Sequence, residues 1–160
     1  MIQRTLVLIK PDGVQRGLVG QIITRFENAG LKIVGGKMVW VDAAFSKQHY
    51  AEHIQKKFYP ALEAMLTQGP VFALVLEGVE AAALVRKIVG PTEPKAAPPG
   101  TIRGDFSHMS YAYADAKDIG LKNIIHASDS PVSAKTEIAL WFSPNELHTY
   151  KSVHDVHVLE

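Results

Sequence analysis

The sequence predicts an α+β fold in which an antiparallel sheet carries helices on one face. Three observations support this. Apolar residues recur with strand period in some segments and with helix period in others, and the two kinds alternate along the chain. The segment VFALVLE, Val71 to Glu77, is apolar nearly throughout, as a central strand covered on both faces requires. Once a polar helical pair between the second and third strands is set aside, the remaining order is βαββαβ, with helices packed against one side of the sheet.

Thr5 to Ile9 form the first strand, closed by Pro11, which cannot donate to a ladder, and by the turn pair Asp12-Gly13. Lys10 therefore sits at a strand end. From Leu18 to Ala29, Leu18, Val19, Ile22, Ile23 and Phe26 recur at helical spacing, and Gly30 supplies a C-terminal cap. Leu31 to Val41 is a strand whose Gly35 and Gly36 predict a bulge or the close approach of another backbone. A polar helix from about Ser46 ends before Pro60, and a second runs from Pro60 to Gln68. After the central strand, Glu80 to Val89 form a helix with Leu84, Val85, Ile88 and Val89 inward and Arg86 turned elsewhere. The segment GPTEPKAAPPGTIRGDF, rich in proline and glycine, predicts an irregular loop carrying Thr92, Arg103 and Asp105, and SHMSYAYADAKDIGLK extends it. Long loops in compact domains are usually functional. A short strand, Asn123 to Ile125, then delivers His126. Ser130-Pro131 supplies an N-cap and first helical residue for an amphipathic helix to about Phe142, and SPNE at Ser143 to Glu146 is a capping box for a short last helix. The pattern is ferredoxin-like, with an inserted helical pair and a long Pro/Gly loop.

Composition bounds the function classes. The 160 residues fit one domain, residues 1–160, and 47% hydrophobic content can build its core. A formal charge of +1 offers no global attraction to nucleic acid or to a membrane surface, so an anion site has to be built locally. The absence of cysteine excludes disulfides and thiolate-bound zinc and fits a reducing cytoplasm. No segment approaches the ~20 apolar residues of a membrane span, and the N-terminal run is too short for a signal peptide.

Several motifs fail on inspection. GLKIVGGKM, residues 30 to 38, approaches a P-loop but inserts Gly36 before its lysine and offers Met38 where magnesium needs a hydroxyl. It also enters a strand from a helix, the reverse of the required order. His49 and His53 are spaced i, i+4 as metal ligands on a helix would be, but Tyr50 replaces the acid of HExxH. Ser128 and Asp129 lie too close to His126 in sequence to act as nucleophile and orienter of a triad.

What remains is His126 as a nucleophile. A neutral imidazole attacks a phosphoryl group when one nitrogen faces the substrate and the other is held by an acceptor. Glu137 is the candidate acceptor, because side chains two turns into a helix lean back toward its N-terminus, and Ser128 can help fix it. The residues equally allow a turn histidine and a solvated glutamate. Lys10, Arg86, Thr92 and Arg103, at the ends of elements or in the loop, suit the neutralisation of phosphate oxygens. Phe58 is placed either to stack a base or simply to pack.

Taken together, RTLVLIKPDGVQRGLVGQIITRFENAG, HY at 49–50, GPVFALVLEG at 69–78, PPGTIRGDF at 98–106 and NIIHASDS at 123–130 resemble the nucleoside diphosphate kinase family. The resemblance implies a ferredoxin-like sandwich that binds nucleotide without a P-loop. It also implies ping-pong transfer of a γ-phosphate through a phosphohistidine. It assigns the nucleophile to His126, the orienting acid to Glu137 and the ribose contacts to Lys10 and Asn123. Tyr50 falls on the lining of the histidine pocket, Phe58 on the base stack, and Arg86, Thr92 and Arg103 on the phosphates. Mg2+ is implied to arrive on the nucleotide phosphates, with no dedicated protein ligands. Stacking and ribose contacts ignore base identity, so broad specificity follows.

Three positions depart from the family pattern. Ala127 replaces the usual glycine and predicts a backbone outside the left-handed region. The segment Ser107 to Lys122 is long, and Glu93-Pro94 brings a carboxylate beside Thr92. The resemblance further implies a homo-oligomer, with a hexamer favoured over a tetramer by the Pro-rich loop and the segment after Tyr150. The rival is a nucleotide-binding or interaction protein that keeps the scaffold without catalysis.

Overall fold

The computed structural model describes residues 1–159. Its centre is a four-stranded antiparallel sheet of β1 (Ile2–Ile9), β2 (Lys32–Val39), β3 (Val71–Val79) and β4 (Ile125–Ala127), in the order β2-β3-β1-β4. The apolar strand β3 is central, as its composition predicts. In β2, Ile33 pairs with Leu76 and Gly35 with Val75, so Val34 is the extra residue of a bulge. Another backbone does approach there: a Cβ on Gly35 would lie 3.2 Å from the Glu146 carbonyl oxygen.

Alternation along β1 divides the core. Val7 and Ile9 face one side, where α2 (Val19–Asn28) and α5 (Ala81–Val89) bring Ile22, Phe26, Val85 and Val89 against Leu74 and Leu76 of β3. These are the helices of the βαββαβ unit, together on one face as expected. Leu6 and Leu8 point to the other side, which the added elements cover. There Tyr50, Tyr59, Leu66, Trp141 and Phe142 come from α3 (Ala43–His49), α4 (Tyr59–Thr67), α8 (Pro131–Trp141) and their flanks. The site lies where these added elements meet the ends of β1 and β4.

Several boundaries differ from the sequence reading. Pro11 does not open a plain turn but takes an early position in a one-turn helix, α1 (Pro11–Gln15), where its missing N–H costs nothing. The helix read from Ser46 to Pro60 is shorter and earlier. Asp42 caps α3 by accepting the Phe45 N–H at 2.8 Å, and residues 50–58 are turns. The Pro/Gly loop is not wholly irregular. It holds a 3-10 turn (Pro94–Ala96) and α6 (Ile102–Phe106), whose N-cap Thr101 accepts the Gly104 N–H at 3.0 Å. Its extension carries α7 (Tyr111–Lys117), capped by Ser110. The strand read at Asn123 to Ile125 lies at Ile125–Ala127, because Ile124 adopts φ +76° and the ladder with β1 begins only at Ile125 opposite Ile9. The SPNE segment is a 3-10 turn (Pro144–Glu146), and a short α9 (Asp155–Val158) follows it.

Candidate active site

His126 is the middle residue of β4 and pairs with Leu8 of β1. Its neighbours Ile125 and Ala127 point into the α2/α5 core, so strand alternation turns the imidazole to the opposite face, toward α3 and α8. Its Nε2 lies 3.0 Å from Oε2 of Glu137 on α8. Ser130, accepting the Ser133 N–H at 3.1 Å, starts α8 where the carboxylate two turns on can lean back to the strand. The same Oε2 accepts the Ser128 hydroxyl at 2.6 Å, and the Leu6 N–H reaches Ser128 Oγ at 3.3 Å. Ser128 is fully buried and does not reach the cleft. With Nε2 engaged by a carboxylate, the neutral ring carries its proton there and leaves the Nδ1 lone pair free.

The turn before His126 is unusual. Ile124 is a β-branched residue at φ +76°, closed by an Ile125 N–H to Asn123 C=O bond of 2.8 Å, a γ-turn of the strained positive-φ kind. Both sides of this turn are held. Asp12 Oδ2 accepts the Ile124 N–H at 3.0 Å, and the Lys10 N–H donates to the Ile124 C=O at 2.8 Å. Arg103 donates to Asn123 O at 3.3 Å, to Ile125 O at 2.6 Å and to Gly90 O at 3.0 Å. A Cβ on Gly13 would sit 3.1 Å from the Ile124 carbonyl oxygen and 2.9 Å from its Cγ2, so glycine lets α1 come this close.

The turn delivers Asn123 to the cleft, where its Oδ1 accepts from Lys10 Nζ at 2.7 Å and its Nδ2 donates to Thr92 O at 2.9 Å. Burial, and secondarily Arg103, lowers the Lys10 pKa to about 8 against the opposing pull of Asp12. Burial, with Arg86 next, lowers that of Arg103 to about 10. Three of the five guanidinium N–H groups of Arg103 are spent on carbonyls, which leaves two. Arg86 reaches the Ala127 carbonyl at 3.4 Å.

A cleft of about 890 Å³ is lined by Lys10, Tyr50, Phe58, Arg86, Thr92, Arg103, Asn123, His126 and Glu137, so these candidates converge on one cavity. Phe58 is half exposed at its mouth. Tyr50 is buried, and desolvation raises its phenol pKa further than its neighbour Tyr59 does. The long segment supplies a wall: Tyr111, Ala114 and Asp115 of α7 line the cleft beside Ala61 and Leu62 of α4. Glu93 is drawn to that wall, its Oε1 accepting the Tyr111 N–H at 2.9 Å. Ala127 lies in β4 opposite Val7, outside the left-handed region as expected, with its methyl in the core.

Sequence reasoning missed three residues here. Asp12 counted as a turn former, Trp141 as part of a helix and His49 as half of a metal pair with His53. None of the three received a role at the site, although Asp12 and His49 lie in motifs that carry the resemblance. Among the described residues no cluster of three or more potential metal ligands occurs, and His53 Nδ1 is 2.9 Å from Lys56 Nζ. The i, i+4 spacing was a signal for His49, but it named the wrong partner.

Comparison with known proteins agrees with this arrangement. The family model described as nucleoside diphosphate kinase matches residues 3–147. A nucleoside diphosphate kinase of Pyrococcus horikoshii is 52% identical over 153 residues, covering 96% of this chain and 93% of its own. A solved transition-state mimic of nucleoside-diphosphate kinase from Borrelia burgdorferi, with bound vanadate and ADP, superposes with TM-score 0.94 at 43% identity over 98% of this chain and 96% of that one. A halophilic nucleoside diphosphate kinase from Halobacterium salinarum in complex with CDP gives TM-score 0.89 at 42% identity over 100% of both chains. Sharing both its sequence and its fold with these proteins over nearly its whole length, the chain belongs to the nucleoside diphosphate kinase family.

Proposed function

We propose that the chain, acting as one domain, transfers the terminal phosphate of a nucleoside triphosphate to a nucleoside diphosphate in two half-reactions through His126. The observation that carries this reading is the His126 Nε2 to Glu137 Oε2 contact at 3.0 Å, which commits one ring nitrogen and frees the other. Nδ1 attacks the γ-phosphorus, the bond to the β–γ bridging oxygen breaks, and the diphosphate leaves. As the ring gains positive charge, Glu137, itself fixed by Ser128, stabilises the protonated Nε2. A terminal oxygen of a second diphosphate then attacks the phosphohistidine and regenerates the neutral imidazole.

Arg86, Arg103 and Thr92 contact the phosphates in this reading, and Lys10 and Asn123 hold the ribose with Lys10 near the transferred group. Tyr50 backs the nucleophile and Phe58 stacks on the base, so nucleotides of different bases are accepted. The ADP-vanadate and CDP held by the two solved relatives support a nucleotide as occupant of the cleft. Mg2+ belongs to the substrate, carried on the nucleotide phosphates, where it neutralises their charge. The non-enzymatic alternative would need a lost histidine or lost phosphate-binding side chains, and the chain keeps His126 with Lys10, Arg86, Thr92 and Arg103 in the cleft.

The chain is further read as a cytoplasmic homo-oligomer, a hexamer rather than a tetramer. Edge strand β2 and its following residue leave Met38 and Trp40 exposed, which supports association. No described helix is long and apolar enough to cross a membrane. Light scattering on the eluted protein tests the assembly, and a monomer would overturn it. Incubation with γ-labelled ATP and magnesium tests the chemistry. An acid-labile, base-stable label is expected on wild type and absent from His126→Ala; label retained by that variant would defeat the mechanism.

A further inference from the structure

The assigned roles leave out the aromatic surface on which the His126 ring rests. His49, the last residue of α3, meets His126 edge to face, with ring centroids 4.9 Å apart and planes at 84°. Behind His49, the buried Trp141 of α8 stands 5.4 Å away at 87° and donates its indole N–H to His49 Nδ1 at 3.1 Å. Phe45 packs edge-on against the far side of Trp141 at 4.8 Å. His126 is thus fixed on two sides, by a carboxylate at Nε2 and by the ring of His49.

An indole N–H only donates, so His49 Nδ1 must hold a lone pair. An imidazolium has none to offer. The Trp141 bond therefore selects the neutral ring with its proton on Nε2, and protonating His49 would set two N–H donors against each other. The ionisable groups around His49 are His126 on β4, Lys10 at the end of β1, Glu137 beyond His126 on α8, and Tyr50 and His53 after α3. Burial first, then His126, Lys10 and His53, act in the same direction and disfavour a charge on His49.

Resting on the reading of His126 as the nucleophile, we propose that His49 is a positioning residue, kept neutral by burial and oriented by Trp141 so that its ring sets the plane of His126 and aims Nδ1 into the cleft. The neutrality matters because the His126 ring becomes cationic on phosphorylation. A second imidazolium 4.9 Å away would oppose that charge, whereas a neutral ring does not.

The test is the single-turnover rate of His126 phosphorylation by γ-labelled ATP from pH 5.5 to 8.5, with nucleotide affinity measured in parallel. His49→Ala removes the supporting ring and is expected to slow phosphorylation roughly tenfold at every pH with nucleotide Kd unchanged, since small misplacements of reacting groups cost about that much or more. Trp141→Phe keeps the packing but frees Nδ1. With the indole donor gone the His49 ring is free to turn, while burial still disfavours a charge on it, so phosphorylation is expected to slow severalfold at every pH with nucleotide Kd unchanged. The double variant His49→Ala/Trp141→Phe is expected to be no slower than His49→Ala, because Trp141 acts on His126 only through His49. A wild-type rate in His49→Ala, a wild-type rate in Trp141→Phe, or losses that add in the double variant would overturn the proposal. Failure of wild type itself to take label would instead defeat the nucleophile assignment.

Discussion

Asp12 accepts the backbone N–H of Ile124 at 3.0 Å, across 112 residues of sequence, and so holds a β-branched residue at φ +76° two positions before His126. Such a conformation costs on the order of 1–3 kcal/mol and persists only where the surroundings over-determine it. Arg103 on the flanking carbonyls and the Lys10 N–H on the Ile124 carbonyl complete the restraint. The turn lets one short segment send Asn123 into the cleft and His126 into a paired strand.

Removing the Asp12 carboxylate should relax this turn. Asp12→Ala is expected to lower the rate of His126 phosphorylation by roughly 10–100-fold, because the nucleophile shifts, and to cost about 1–3 kcal/mol of stability through an orphaned buried N–H. Asp12→Asn keeps an acceptor oxygen and should lose less of both. Single-turnover labelling and urea unfolding measure the two effects, and equal behaviour of the two variants would exclude the hydrogen bond as the cause.

Glu137 and Ser128 act in series on His126, so their losses should be unequal. Glu137→Ala is expected to reduce phosphotransfer by roughly 10²–10³-fold with nucleotide affinity nearly intact, the signature of an interaction that strengthens in the transition state. Ser128→Ala, which leaves the carboxylate in place, should cost roughly tenfold. Steady-state kinetics with separate binding titrations distinguish this from a general loss of fold, which would weaken both alike.

Lys10 should impose an alkaline limit on nucleotide binding. Its pKa, lowered to about 8 chiefly by burial, means that the free protein loses this positive charge as pH rises through 8. Nucleotide affinity is then expected to fall by up to about tenfold per pH unit above that point, and the limb should be missing from Lys10→Gln. Stability should move the other way. Between pH 8 and the ordinary lysine value of 10.5, the unfolded chain binds more protons than the folded one, so this residue makes the fold more stable as pH rises across that window. Calorimetric titration and urea melts over pH 7 to 10.5 check both signs.

Phe58 stands half exposed at the mouth of the cleft, with His53 at 5.8 Å between ring centroids, and is free to meet a base. Phe58→Ala is expected to raise nucleotide Kd by roughly 5–150-fold, in keeping with about 1–3 kcal/mol per stacked base, and by similar factors for purines and pyrimidines. The phosphorylation rate at saturating nucleotide should change little. Binding titrations with four diphosphates would reveal any strong base preference, which stacking alone does not produce.

Ala127 is the departure that the fold explains most simply, because its strand backbone does not need glycine and its methyl fills core space. Ala127→Gly is expected to keep phosphotransfer within about twofold while costing about 0.5–1 kcal/mol of stability. Thermal melts and steady-state rates measure the two.

The site was partly legible in the sequence. The capping signal Ser130-Pro131 and the lean of helical side chains made Glu137 a candidate partner of His126, eleven residues away, beside the equal reading of a turn histidine and a solvated glutamate, and the fold brings the two together. Lys10, Arg86, Thr92 and Arg103 were picked out by their charge or hydrogen-bonding capacity and their places at element ends or in the loop, and all four line the cleft. Roles given by resemblance, such as those of Tyr50 and Asn123, fell on residues that line it too. Asp12, His49 and Trp141 escaped because each acts through a partner far along the chain: Trp141 and His49 are 92 residues apart. The helices α6 and α7 escaped because proline, glycine and polar residues obscured their periodicity, while their starts rested on the single caps Thr101 and Ser110.

The sequence by itself determined the βαββαβ order, the central place of the strand at Val71 to Glu77, a bulge or close backbone approach at Gly35-Gly36 and the resemblance to the chain's family. These are written in periodicity, caps and local composition, which act over a few residues at a time. The tertiary structure alone decided the strained turn at Ile124, the α7 wall of the cleft and the stacking of Trp141, His49 and His126. Each of these depends on sheet register and on how helices seat against the strands, where a shift of one residue reverses which face a side chain occupies.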